Sequence, residues 1–289
     1  MRRRVRSPLR RGTRGPWWWV AYSLAILWSL LVVFPIVSMA LLGFRSTADI
    51  FNDPTGLTGG WHPANFAEAW QGSTGNMGMG LYLANSIVTA ITAIVVSVGL
   101  GAIAAYALVR LGGHFRTWVL RVFVLAFAIP LVVILIPLFS LFDSVGALNS
   151  PAAVGVAYGV LNLPVAVLIL HATFLDFPEE IIEAATLDGL GRIRSFTRMV
   201  VPLNTGAFMS VAMLVLIFAW GEAQLGVVTL LTPGSRTLAV GLLGFQGQYF
   251  SNQGVMFAGL ALATLPVIAI YLFMQRYVVR GLALGGSGK

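Results

Sequence analysis

The chain has 289 residues, of which 58% are hydrophobic and only 10% are charged. A water-soluble domain of this size carries roughly 25% charged residues, so the deficit excludes an ordinary soluble core and indicates a polytopic membrane protein. Without cysteine there is no disulfide framework, thiolate nucleophile or Cys-ligated metal. The net charge of +8 has seven of its eighteen basic residues ahead of Trp17, which a positive-inside signal explains more simply than a nucleic-acid surface.

A basic tail, residues 1–16, leads into the first uncharged run, 17–44. About 20 residues at 1.5 Å each cross the hydrocarbon, so this run predicts a retained transmembrane helix. Ser38-Met39-Ala40 resembles a signal-peptidase site, but the apolar stretch is far longer than the roughly 7–15 residues of a signal peptide. Arg10-Arg11 is read as part of a cytoplasmic anchor rather than a twin-arginine export signal. Further spans are predicted over 79–109, 122–142, 145–170, 204–220 and 255–275, giving an all-α membrane fold of six helices. The second is longer than a crossing requires, which predicts an interfacial part, and Glu222 closes the fifth. Proline falls inside the runs at Pro35, Pro130, Pro137, Pro164 and Pro266, where neighbouring helices or water can satisfy the released carbonyls.

Placing the N-terminus in the cytoplasm puts sixteen of the eighteen Lys and Arg residues inside and only Arg45 and Arg236 outside. That asymmetry predicts both termini, including the tail 279–289, on the cytoplasmic side. The first outer loop, 45–78, is long, and its stretch from Trp61 to Trp70 predicts a short surface helix.

The most polar stretch, 177–203, lies between spans four and five, on the cytoplasmic side. Pro178 suits a first helical turn, where Glu179 and Glu180 complement the positive end of the helix dipole. Asp188-Gly189 predicts a left-handed stop. A second short helix from Arg192 would put Ile193, Phe196 and Val200 on one face. The product is a charged helix-turn-helix tongue whose Ala184 and Ala185 keep its surface low enough for another protein to approach. An amphipathic segment lying on lipid usually has a basic face, whereas this first helix is acidic.

Glu183-Ala184-Ala185, then Gly189, then Pro202 resembles the EAA loop of permease subunits in bacterial binding-protein-dependent ABC importers. EAATLDGLGRIRSF is most similar to the carbohydrate branch, the maltose/oligosaccharide type of inner-membrane permease. NFAEAW, LANSIVTA, AAYALVRL, IPLFSLFDSVGALNS, FAWGE and LPVIAIYLFMQRYVVRGL follow the same order, so the resemblance spans nearly the whole chain. Leu190 stands where alanine is usual, and Met199 and Val201 replace isoleucine and leucine. Trp220-Gly221-Glu222 replaces the usual Trp-Asn-Asp, leaving that asparagine without a counterpart.

The resemblance implies a coupling loop docking on a cytoplasmic ATPase, with Glu183, Ala184, Ala185, Asp188 and Gly189 matching the motif. It further implies a second, homologous permease forming a heterodimer, two ATPase subunits that use ATP and Mg, an extracytoplasmic solute-binding protein, and a sugar or polyol as cargo. Lipid of the bacterial inner membrane would surround the spans, and no nucleic-acid partner is expected.

The terminal Gly285-Gly286-Ser287-Gly288-Lys289 does not make a phosphate loop, because Ala283 holds the first glycine position and no Ser or Thr follows the lysine. Neither catalysis nor a cofactor is therefore expected of this chain. His62, His114 and His171 lack metal-ligand spacing. Gly155 and Gly159 form a GxxxG that lets two helices approach closely. For the substrate path the candidates are Asn85, Ser86, Tyr158, Asn162 and Glu222, polar or amphipathic groups in or near spans. The alternative function is an ion-coupled secondary carrier or channel for a small polar solute. That class needs buried carboxylates or broken helices at the midplane, and carboxylates are almost absent from these runs.

Overall fold

The structure is a computed structural model describing residues 16–72, 77–248 and 252–285. Residues 1–15 of the basic tail and 286–289 of the C-terminal tail lie outside the described residues, as do the side chains of Arg276 and Arg280. Among the described residues every regular element is helical.

The bundle is built around α4 (Met79–Leu111), a 33-residue helix. Tyr82, Ser86, Ala90, Ala93, Ser97, Gly101, Ala105 and Leu108 recur at three- and four-residue spacing along its buried side. Most of these side chains are small, so neighbouring helices come close. They are α7 (Pro151–Leu161), α8 (Leu163–Leu175) and α12 (Thr205–Gly221). The GxxxG of α7 is what brings α7 and α4 together. A Cβ on Gly155 would lie 2.6 Å from the Thr89 carbonyl oxygen, and one on Gly159 would lie 2.7 Å from Val96 Cβ.

Among the described residues three helices are long and apolar enough to cross a membrane unbroken: α1 (Pro16–Leu42), α4, and the 253–273 part of α15 (Gln253–Gly285). α1 rests against α15 and is otherwise exposed over most of its length. The other three candidate spans are bent pairs, making up to six in all. The run expected as a single span over 122–142 comprises α5 (Gly113–Phe127) and α6 (Leu131–Ser144), inclined at 92°. Pro130 causes the break, since it disfavours helical backbone at Ile129 and lacks an N–H. α7 and α8 are bent by 49° at Asn162, just ahead of Pro164. Residues 192–203 meet α12 at 78°, directly after Pro202 and Asn204.

The short helix expected between Trp61 and Trp70, in the loop that follows α1, is α3 (Ala64–Gln71), which packs on α15, and a shorter α2 (Thr47–Asn52) precedes it. Arg45 organises this loop from within. Its guanidinium is buried and donates to the carbonyls of Gly56, Leu57, Gly59 and Gly60 at 2.7–3.2 Å. Phe44 and Trp61 stack beside it at 4.1 Å.

The stretch 222–252, between the runs expected as the fifth and sixth spans, contains α13 (Gln224–Thr229), a 3₁₀ turn at Pro233–Ser235 and α14 (Leu238–Gln248). α14 folds back onto α4, with Gly241 seated against the Tyr82 ring. Its apolar run is too short to read as a span and too glycine-rich to read as a surface helix.

Candidate functional site

The tongue begins with α9 (Glu179–Leu187), carrying Glu179 and Glu180 in its first turn. Its end is a Schellman turn: Gly189 has φ +79°, its N–H donates to the Thr186 carbonyl at 3.0 Å, and the Leu190 N–H donates to the Ala185 carbonyl at 2.9 Å. α10 (Arg192–Ser195) follows and opens into a five-residue π turn, Phe196–Val200, before the short α11 (Val201–Leu203) leads to α12. Such wide turns are rare and concentrate at functional sites.

The second half of the tongue is fastened to the bundle by aromatic rings. Phe196 lies 4.6 Å from Tyr106 of α4 and 6.1 Å, edge-on, from Phe174 of α8. Phe174 in turn lies 6.0 Å from Phe208 of α12. Arg110 sits 5.5 Å over the Tyr106 ring. Ser195 and Val200 are buried alongside, and the Ser195 hydroxyl donates back to Leu190 and Gly191 carbonyls. A cleft of about 220 Å³ runs between this anchor and α9, lined among others by Arg110, Phe177, Glu179 and Ile182.

The opposite side of the tongue is displayed. Leu187 is 89% exposed and Ile193 80%, so two apolar side chains face outward from the tongue. The helical count from Arg192 puts Ile193 on one face with Phe196 and Val200. The buried face is instead centred on Ser195, Phe196 and Val200, and Ile193 points outward from the start of α10. Glu183, Ala184, Asp188 and Gly189 are exposed as expected, whereas Ala185 is buried. Of the two alanines, Ala184 offers the low outer surface and Ala185 lets α9 sit close to the body.

The substrate-path candidates are held by specific bonds. The Asn85 amide donates to the carbonyls of Gly234 and Arg236 at 2.9 and 3.0 Å. The buried Ser86 hydroxyl accepts from the Leu238 N–H at 2.8 Å. Together they pin the 234–238 segment to α4. Tyr158 and Glu222 are brought together: the Tyr158 hydroxyl donates to the Glu222 carboxylate, which also accepts from the N–H groups of Gln224 at 2.6 Å and Leu225 at 3.4 Å. Asn162 donates to the Tyr158 carbonyl at 2.9 Å, at the α7–α8 break. The anchoring rings Tyr106 and Phe174 escaped the sequence reading because an aromatic in an apolar helix carries no local mark of its partner.

Among the described residues no group of three or more His, Cys, Asp or Glu is placed to hold a metal.

Residues 97–284 match the family described as the binding-protein-dependent transport system inner membrane component. The chain is 31% identical over 266 residues to the sulfoquinovosyl glycerol transport system permease protein SmoH of Agrobacterium fabrum, covering 89% of this chain and 90% of that one. It is 26% identical over 268 residues to the diacetylchitobiose uptake system permease protein NgcG of Streptomyces coelicolor, covering 92% and 87%. It is 28% identical over 263 residues to the trehalose/maltose transport system permease protein MalG of Thermococcus litoralis, covering 90% and 93%. A solved bacterial ABC transporter involved in import of the acidic polysaccharide alginate has a chain of the same fold, with a TM-score of 0.74, 18% identity, and coverage of 94% of this chain and 99% of that one. With the apolar helices, the bent spans and a match over well more than half its length, the chain belongs to the family of inner-membrane components of binding-protein-dependent transport systems.

Proposed function

We propose that this chain is the permease subunit of an ATP-driven ABC importer for a carbohydrate or related polyol, with the tongue as its mechanical link to a separate ATPase. Family membership sets aside the ion-coupled carrier. Carbohydrate cargo is supported by relatives named for diacetylchitobiose and trehalose/maltose transport. Partners in this reading are a second homologous permease, two cytoplasmic ATPase subunits that use ATP and Mg, and an extracytoplasmic solute-binding protein. The Lys/Arg distribution supports cytoplasmic tails at 1–16 and 279–289 and a cytoplasmic tongue.

The observation that carries the reading is the two-sided build of the tongue. One side is displayed through Glu183, Ala184, Leu187 and Ile193, and the other is held by Phe196 to rings on α4 and α8, the α8 ring packing in turn on one of α12. A load applied to the outer side passes through packed rings into the helices of the bundle. ATP-driven closure of the ATPases would thus bias a two-state arrangement of the spans. Glu183 and Asp188 offer carboxylates to the partner, Gly189 fixes the turn that aims them, and Ala185 keeps α9 against the body. Asn85, Ser86, Tyr158, Asn162 and Glu222 remain the proposed path region, acting through the backbone segments they hold.

The test is uptake by the assembled transporter carrying Glu183→Lys or Gly189→Asp. Both variants should reach the membrane, retain the fold and lose ATP-coupled uptake. Transport at the unmodified rate in either would reject the link.

A further inference from the structure

The groove between α5 and α8 is separate from the tongue and its anchor. α5 lies against α8, and the groove between them, about 470 Å³, is lined by Arg116, Thr117, Leu120, Arg121, Val124, Leu125 and His171. Among the described residues no acidic side chain lines it. His171 is only 8% exposed, and its Nε2 is buried without a hydrogen-bonding partner. A buried polar nitrogen with no partner is rare and costly unless something outside the chain supplies one. Here it lines the same groove as two guanidinium groups.

Chemistry narrows the occupant. Two arginines call for an anion with several acceptor oxygens, and phosphate matches their fork geometry. Beyond the arginines the lining turns apolar through Leu120, Val124 and Leu125, the last two exposed at 52% and 68%. A small soluble anion would leave that half uncovered, whereas a phospholipid acyl chain would cover it. Trp118, 61% exposed on the same helix, is the residue type found at membrane interfaces. We propose that this groove is a binding site for an anionic phospholipid, with Arg116 and Arg121 holding the headgroup phosphate, His171 donating to one of its oxygens, and an acyl chain lying along Leu120, Val124 and Leu125. The lipid would set the angle between α5 and α8, the helix that ends at the tongue.

The site is tested on the full chain purified with its partner subunits, by native mass spectrometry after addition of phosphatidylglycerol or phosphatidylcholine. The protein should retain phosphatidylglycerol preferentially, with roughly five-fold of the preference coming from each arginine. The Arg116→Gln, Arg121→Gln double variant should bring retention down to that of phosphatidylcholine, while neutralising Arg2, Arg3, Arg4 and Arg6 of the tail should leave the preference intact. Should the double variant not purify, Arg121→Gln alone makes the comparison, since that side chain is exposed. His171→Phe keeps the ring volume and should weaken phosphatidylglycerol retention without lowering the thermal midpoint. Equal retention of the two lipids, or an unchanged preference in the arginine variants, would overturn the proposal. Displacement of the lipid by inorganic phosphate that itself binds the lipid-free protein would overturn it in favour of a soluble anion.

Discussion

The ring of Phe196, set within the π turn of the tongue, lies 4.6 Å from the ring of Tyr106 on α4. The pair joins the tongue to the central helix of the bundle across ninety residues of sequence. Phe196→Ala should cost about 2 kcal/mol, less than a full core truncation because the ring is half-buried. Its more telling effect should be on coupling: ATP hydrolysis should persist while uptake per ATP falls. Proteoliposomes that lose hydrolysis and uptake in equal proportion would argue against the ring pair as the transmitting element.

The α4–α7 contact depends on missing side chains. Gly159→Ala puts a Cβ 2.7 Å from the stiff, branched Val96, so the helices must part, at about 1–3 kcal/mol. Gly99→Ala on the same α4 has nothing within 4 Å of the new Cβ. It should stabilise slightly, by about 0.4–1 kcal/mol, through helix propensity and chain entropy. Thermal midpoints in detergent should therefore move in opposite directions.

Tyr158 and Glu222 separate a path role from a positioning role. The Glu222 carboxylate takes the Tyr158 hydroxyl and two N–H groups at the start of α13, joining α7, α12 and α13. Glu222→Ala should cost about 1–2 kcal/mol, because the buried Tyr158 hydroxyl is left with only the backbone carbonyl of residue 222, while Glu222→Gln keeps a side-chain acceptor oxygen and should cost less. A double-mutant cycle with Tyr158→Phe should show a coupling of about 1–3 kcal/mol. A change in apparent substrate affinity with no change in stability would instead place the hydroxyl on the path.

The loop that follows α1 should respond to acid through Asp53. Hydrogen bonds from the Thr55 and Thr58 hydroxyls and their N–H groups hold its carboxyl well below the usual carboxylate range. A folded-state value lowered in this way means the loop gains from ionised Asp53 above the ordinary carboxylate range and loses that gain as pH falls through the folded value. Hydrogen exchange at the amides of Thr55 and Thr58 should lose protection in strong acid. Asp53→Asn should remove that pH dependence; an unchanged profile in the variant would show that another group governs the loop.

What sequence reveals here follows from how local the physics is. Long apolar runs carry their own signal, so the unbroken helices α1, α4 and α15 stand where hydropathy puts them, and a lone proline such as Pro130 marks a break without its angle. The Schellman end at Gly189 is equally legible because its bonds close within six residues. The side to which Ile193 points is not legible, because the π turn downstream displaces the simple helical count. α14 is illegible for a different reason: its place on α4 depends on the Asn85 and Ser86 bonds to backbone some 150 residues away.

The wide turn at Phe196–Val200 also sets an angle. Each residue of an α-helix advances the rotation by about 100°. Winding the same residues as an ordinary α-helix would swing Ser195 and Phe196 off the face they share with Val200. The tongue would then present a different side outward, with its own composition unchanged. A single-residue deletion within the turn, which restores ordinary winding with the flanking faces kept, should be better tolerated than one elsewhere in the tongue, because this stretch of chain works as an index mark as well as a joint.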